Sequence, residues 1–149
     1  AYVATTASPN KMPDGTSKID FMKKIGADEV INYKEADWST VLEGKDYDLI
    51  YDCVGDAEDW PKASKVLRKG GSFVSIANFG DVKSTEDHSF KVFLLQSNTA
   101  DLDKLVELVT KKKLVVPVDS VVPFDKVTEV LTKSLGWSSA GKLCIQVSA

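Results

Sequence analysis

The chain has 149 residues, 43% of them hydrophobic and 28% charged, a balance that suits one ordinary domain with a real core and excludes a disordered or fibrous segment. Its net charge of −3, with acids and bases interspersed, leaves no basic field for nucleic acid. No apolar run approaches the roughly 20 residues that cross a bilayer, and no charged-then-apolar leader opens the chain, so no membrane partner is expected.

Ala1 leads straight into a strand-like run, Tyr2 to Thr6, as though cut from a longer protein. Ser8 to Gly15 is rich in turn residues, with Pro9, Asn10, Pro13 and Asp14-Gly15. Ser17 can cap the next helix, with Asp20 three residues on, close to a capping box. Ile19, Met22 and Ile25 share one face of that helix, and Gly26 ends it after Lys23 and Lys24. Val30 to Tyr33 reads as a second strand, and Trp38 to Leu42 as a brief helix stopped by Gly44. Asp48 to Val54 is a third strand, terminated by Gly55. A helix starting near Pro61 carries Trp60, Ala63 and Leu67 on one face and stops at Gly70-Gly71. Ser72 to Ala77 is a fourth strand, and Val92 to Leu95 the core of a fifth.

Asp101 caps a helix that turns Leu102, Leu105 and Val109 inward and ends in Lys111, Lys112 and Lys113, cations that match the helix dipole. Val115 to Val122 is extended, interrupted by Pro117. Asp125 caps a last helix bearing Val127, Val130, Leu131 and Leu135, and Gly141 to Val147 closes as a strand. Strands alternating with amphipathic helices predict a parallel α/β sheet covered on both faces. Cys53 and Cys144 lie in apolar runs and read as buried free thiols in a reducing, cytoplasmic setting, although a disulfide is open on sequence alone. His88, the one histidine, falls in a polar stretch and reads as a surface residue that cannot build a zinc centre, so no metal is expected.

Several phrases, in this order, are similar to the medium-chain dehydrogenase/reductase superfamily in its zinc-independent, quinone-oxidoreductase-like branch. They are Val3-Ala-Thr-Thr-Ala-Ser8, Ile25-Gly-Ala-Asp-Glu-Val-Ile-Asn-Tyr33, Tyr47-Asp-Leu-Ile-Tyr-Asp-Cys-Val-Gly55, Val66-Leu-Arg-Lys-Gly-Gly71, Val122-Pro-Phe-Asp125 and Gly141-Lys-Leu-Cys-Ile-Gln-Val147. Each alone is weak; jointly they cover essentially the whole chain. The resemblance implies a Rossmann-like doubly wound parallel sheet lacking the first strand and its glycine-rich turn, the element that cradles a pyrophosphate. It also implies that residues 1–114 form a partial dinucleotide-binding domain and that 115–149 return to a substrate domain. In such a sheet the missing strand is central, so Tyr2 to Thr6 and Asp48 to Val54 each lose a ladder partner. If the chain folds alone, its outer strands must re-pair or a second copy must fill the gap.

The resemblance places a nicotinamide cofactor's adenosine ribose at the end of the first strand. An NAD enzyme sets Asp or Glu there; this strand ends in Thr5, Thr6, Ala7 and Ser8, with Lys11 following, so a 2′-phosphate and hence NADPH is expected. NADPH-using relatives often show Ser/Thr, a nearby Lys and a Tyr after the next strand, matched here by Ser8, Lys11 and Tyr33. Lys18 competes with Lys11, because extra residues separate Ser8 from Ile19. The backbone of Cys53, Val54 and Gly55, and of Ala77 to Gly80 including Phe79, would line the ribose and nicotinamide. Without a base nearby, Cys53 reads as packing rather than nucleophile, and Asp52 as a cap or loop hydrogen-bonder. No catalytic residue is identified. The apolar strand Lys91 to Gln96 resembles the family's edge strand and predicts a homodimer.

The implied activity is hydride transfer from NADPH to a small-molecule quinone or α,β-unsaturated carbonyl, with the isolated chain inactive. Three alternatives stand beside it. A zinc-containing alcohol dehydrogenase would keep its metal ligands elsewhere. An S-adenosylmethionine methyltransferase would want an acid after the first strand. A non-catalytic dimerisation module would need no glycine loop.

Overall fold

In a computed structural model the structure describes residues 1–136 and 139–148. Two compact units emerge, one formed by Ala1–Asn32 with Asn98–Ala149 and the other by Tyr33–Ser97.

In the first unit, strand β1 (Ala4–Ala7) pairs in parallel with β2 (Glu29–Asn32), Ala4 opposite Glu29 and Ala7 opposite Asn32. Helix α1 (Lys18–Lys24) lies in the crossover between them that parallel pairing requires. Its start follows the capping reading: Ser17 Oγ accepts from the Asp20 amide at 3.0 Å and donates to Asp20 Oδ2 at 2.6 Å. The turn-rich loop between β1 and α1 folds back on itself. Lys11 and Ser17 form an antiparallel bridge, with Met12 N donating to Thr16 O at 2.8 Å and Gly15 N to Met12 O at 2.9 Å.

The second unit holds helix α2 (Trp38–Val41), strand β3 (Tyr47–Asp52), helix α3 (Asp59–Ala63), and strands β4 (Leu67–Ser75) and β5 (Ser89–Val92). The strands run parallel in the order β3-β4-β5. Ala63, Leu67 and Phe73 are buried together, and Ile50, Trp60 and Phe90 pack on them. The Phe73 and Phe90 rings stack at 5.6 Å between centroids, and Trp60 meets both edge-on, geometries that aromatic quadrupoles favour.

The rest of the first unit contains α4 (Thr99–Thr110), strand β6 (Val118–Pro123), a 3₁₀ turn (Phe124–Lys126), α5 (Val127–Leu135) and β7 (Lys142–Gln146), with β6 and β7 parallel.

Several expectations need correction. The helix around Trp60 ends at Ala63, and Leu67 already pairs with Tyr47 as strand. Two tight turns, Lys65 N to Lys62 O and Val66 N to Ala63 O, reverse the chain before Gly70 is reached. The fifth strand lies earlier than Val92 to Leu95, because β4 reaches back to Leu67 and draws Ser89 into register with Ser72. Asn98, not Asp101, caps α4 through Ala100 N at 3.0 Å, and Asp125 falls inside the 3₁₀ turn instead of capping α5. Leu102, Leu105 and Val109 of α4 are exposed, as are Leu131 and Leu135 of α5; of the latter helix only Val130 is buried. Cys53 is a free thiol as read, but exposed rather than buried, since the chain leaves the sheet directly after Asp52. Among the described residues the outer strands do not re-pair: β1 has β2 alone, β3 has β4 alone, and Leu49 and Tyr51 on β3 stay exposed.

Candidate functional site

Parallel α/β sheets bind ligands beyond the carboxyl ends of their strands, where loops converge and helix N-termini point. In the second unit that edge is built by the turns after β3 and β4. Asp52, the last residue of β3, is buried, and its Oδ1 accepts from the amides of Val54 at 2.8 Å and Gly55 at 3.0 Å. Its Oδ2 accepts from the hydroxyl of Ser75 at 2.6 Å, the last residue of β4. Ser75 Oγ in turn accepts from the amides of Ala77 at 3.1 Å and Asn78 at 2.9 Å. Asn78 Oδ1 then takes Gly80 N at 3.0 Å.

The two turns therefore meet closely. Gly55 has φ +82°, and a Cβ there would lie 2.8 Å from the Ala77 backbone, so only glycine fits the approach. Of the residues read as cofactor-lining, Gly55 and Ala77 are brought together. Val54 and Phe79 project apolar side chains into solvent at 78% and 63% exposure, an open apolar surface at the strand ends. Partial desolvation of the otherwise exposed Cys53 thiol pushes it above its ordinary range, and the neighbouring Asp52 carboxylate adds to that. Desolvation also raises Asp59, aided by Asp56 and Asp52 and opposed by the hydrogen bond from Trp38 Nε1 at 3.0 Å.

At the carboxyl end of β1 in the first unit, Ser8 is buried directly after Ala7. None of Thr5, Thr6, Ala7 and Ser8, which end and follow this strand, is an acid. Lys11 is exposed in the folded-back loop and forms no ion pair among the described residues. Its competitor Lys18 is half-buried, with Nζ donating to Ser139 O at 3.3 Å. Tyr33, which follows β2, is exposed, and the Lys34 ammonium lies 5.1 Å from its ring centroid.

Ser75 went unnoticed in the sequence. Its signal was there: a small hydroxyl residue ending a buried strand, with amides two and three positions on that its oxygen can accept.

Comparison with known proteins follows the same lines. A protein-family model described as zinc-binding dehydrogenase matches residues 25–145. The 2-methylene-furan-3-one reductase of Solanum lycopersicum is 29% identical over 93% of this chain and 34% of its own length. Quinone-oxidoreductase QR1, chloroplastic, of Triphysaria versicolor is 28% identical over 89% of this chain and 43% of that protein. The chain thus spans less than half the length of these curated relatives. The solved quinone oxidoreductase of Coxiella burnetii superposes with a TM-score of 0.79 over 99% of this chain and 45% of that one, at 22% identity, which shows the Rossmann-like α/β fold.

The family model's description names zinc. Among the described residues no three His, Cys, Asp or Glu side chains gather as a metal requires, so the residues present do not fit a zinc centre. No described helix is long and apolar enough to cross a membrane. With the family model matching residues 25–145, the chain belongs to the zinc-binding dehydrogenase family, within the medium-chain dehydrogenases and reductases.

Proposed function

We propose that this chain is the cofactor-holding part of an NADPH-dependent oxidoreductase that passes hydride to quinones or α,β-unsaturated carbonyls. The observation that carries the reading is the neutral tip of β1: buried Ser8, exposed Lys11 and no carboxylate. A carboxylate there would bond both ribose hydroxyls of NADH and repel a 2′-phosphate; a hydroxyl and a cation do the reverse. Relatives named quinone oxidoreductase and 2-methylene-furan-3-one reductase support the substrate class.

The reading assigns residues to each end of such a cofactor. Ser8, Lys11 and Tyr33 would hold the phosphate-bearing ribose. The backbone of Cys53, Val54, Gly55, Ala77 and Phe79 would line the far ribose and nicotinamide, with Val54 and Phe79 keeping water from that ring. When bound, the cofactor supplies the reactive hydride, and the protein supplies orientation. Within this reading residues 1–114 serve the nucleotide and 115–149 return to the substrate domain. The chain by itself turns over no substrate, because it contains neither a glycine-rich phosphate turn nor an identifiable proton donor. Two free thiols suit a reducing, cytoplasmic setting.

The reading also includes a homodimer through the strand edge beginning at β5. That strand ends its sheet, and Phe93, Leu94 and Leu95 continue from it exposed. Apolar edges of this kind are usually paired or covered. Sedimentation of the full-length protein should give a dimer; a clean monomer at high concentration counts against it.

Equilibrium binding tests the cofactor. The full-length protein should hold NADPH about tenfold or more tighter than NADH, a difference of about 1.4 kcal/mol or more. Lys11→Ala should narrow that gap by weakening NADPH alone. Equal affinity for the two nucleotides in the wild type sinks the assignment.

A further inference from the structure

Asp52 is buried at the carboxyl edge of β3, yet no ammonium or guanidinium among the described residues pairs with it. A lone buried carboxylate is costly, so it persists only where dipoles replace the lost water. Here they come from two different turns. Val54 N and Gly55 N reach Oδ1, and the Ser75 hydroxyl reaches Oδ2. Ser75 is fully buried and hands its own lone pairs to Ala77 N and Asn78 N. The backbone adds Ile76 N to Asp52 O at 3.0 Å.

The polarity of this relay is fixed. Carboxylate oxygens only accept, and the one proton of the serine hydroxyl is committed to Asp52, so both its lone pairs are free for amides. Asparagine at 52 cannot reproduce it. With its oxygen toward Val54 and Gly55, its NH₂ faces Ser75 and leaves the hydroxyl proton without an acceptor. Flipped, its NH₂ confronts two amide N–H groups. The arrangement therefore calls for a carboxylate side chain at 52, which ties residues 53–55 to residues 76–78.

We propose that Asp52, acting through Ser75, is a positioning residue: it sets the two turns in the orientation in which their backbone receives the nicotinamide end of the cofactor. This inference rests on the cofactor reading above. It predicts that the relay governs one end of the dinucleotide and not the other.

The test is binding of two probes to the full-length protein by calorimetry. NADPH spans both ends, whereas 2′,5′-ADP carries the phosphate-bearing ribose and no nicotinamide. Asp52→Asn should raise the Kd for NADPH about tenfold by misplacing the turns, while 2′,5′-ADP binds as in the wild type. Ser75→Ala should give the same signature and stands in if the first variant does not fold. The double variant should be little worse than either single one, since both break one relay. Equal weakening of both probes would mark a merely structural role and overturn the inference, as would unchanged NADPH binding. If the wild type binds neither probe, the cofactor reading itself fails and the inference falls with it. Wild-type binding with unaltered variants sinks the inference alone.

Discussion

Two aspartates whose carboxylates are withdrawn from water, one in each unit, solve the same problem by different means. Asp52 at the end of β3 is held by amides and a hydroxyl alone. Asp119 in β6 has only 2% of its side chain exposed and binds the Lys133 ammonium of α5, together with Ala140 N at 2.9 Å. Each lies next to a glycine in the left-handed half of backbone space that presses against a neighbouring strand's chain. Gly55 meets Ala77, and Gly141, at φ +131°, would place a Cβ 2.6 Å from Pro117 O. The frame is shared; the charge balance is not. Where a cation neutralises the carboxylate the knot is a closed structural unit. Where none does, the carboxylate adds to the effect of desolvation, which is the main cause raising the Cys53 thiol and the Asp59 carboxyl. Burial pushes Asp119 up, but Lys133 and the Ala140 amide outweigh it and hold the carboxyl below its ordinary value.

Removing the ion-paired aspartate should have the largest effect on stability. Asp119→Ala removes the carboxylate that the Lys133 ammonium and the Ala140 amide both contact. Breaking a buried pair in this way costs about 3 kcal/mol, toward the low end of such losses because Lys133 can turn to water. Its side chain is already 35% exposed. Urea unfolding of the protein reads the loss. A change no larger than that of a surface ion pair would show that Asp119 is tied no more firmly than an exposed acid, and the contrast with Asp52 would collapse.

How far sequence carried this picture depends on where local chemistry decides. Ser17 and Asp20 declared the start of α1 because a cap and its reciprocal acceptor lie within four residues. The parallel α/β alternation was equally plain in the spacing of apolar runs. The register of β4 was not legible. Leu67 carries helical spacing with Trp60 and Ala63, and only its pairing with Tyr47, twenty residues upstream, makes it strand. Burial failed likewise along α4, where Leu102, Leu105 and Val109 share a face that nothing among the described residues covers. At the candidate site, Gly55 was visible as punctuation, Ala77 as the end of a strand, and Asp52 as a loop hydrogen-bonder. Ser75 escaped because its role depends on which strand lies beside it, a long-range fact that no local motif contains.

The glycines probe the shared frame with a smaller change. Gly55→Ala adds a Cβ within 3 Å of the Ala77 backbone at a φ that L-residues resist, which should cost about 2 kcal/mol. Gly141→Ala meets Pro117 in the same way and should cost about as much. Similar losses in unfolding would confirm that the two frames are alike in backbone terms. Only Gly55→Ala should also weaken NADPH binding, since only its turn faces the cofactor in the proposed reading.

The smallest effect comes from a third aspartate that shows what similar bonds are worth in water. Asp37 caps α2, with its carboxylate accepting from Ser39 N at 2.9 Å and Ser39 Oγ at 2.5 Å, and Lys62 Nζ pairs with it at 2.9 Å. Its side chain is 41% exposed. The Ser39 side chain first, then Lys62, lower its pKa from 3.8 to about 2. A carboxylate whose folded pKa is depressed adds stability that is complete above the unfolded value and is lost as pH falls through the folded one. Asp37→Ala should therefore lower stability by about 1 kcal/mol near neutral pH, as lost caps do. The gap from wild type should close as pH drops from 3.8 to about 2. A gap that persists unchanged below that window would mean that the aspartate acts by backbone conformation and not by charge. The comparison with its two buried counterparts would then concern geometry alone.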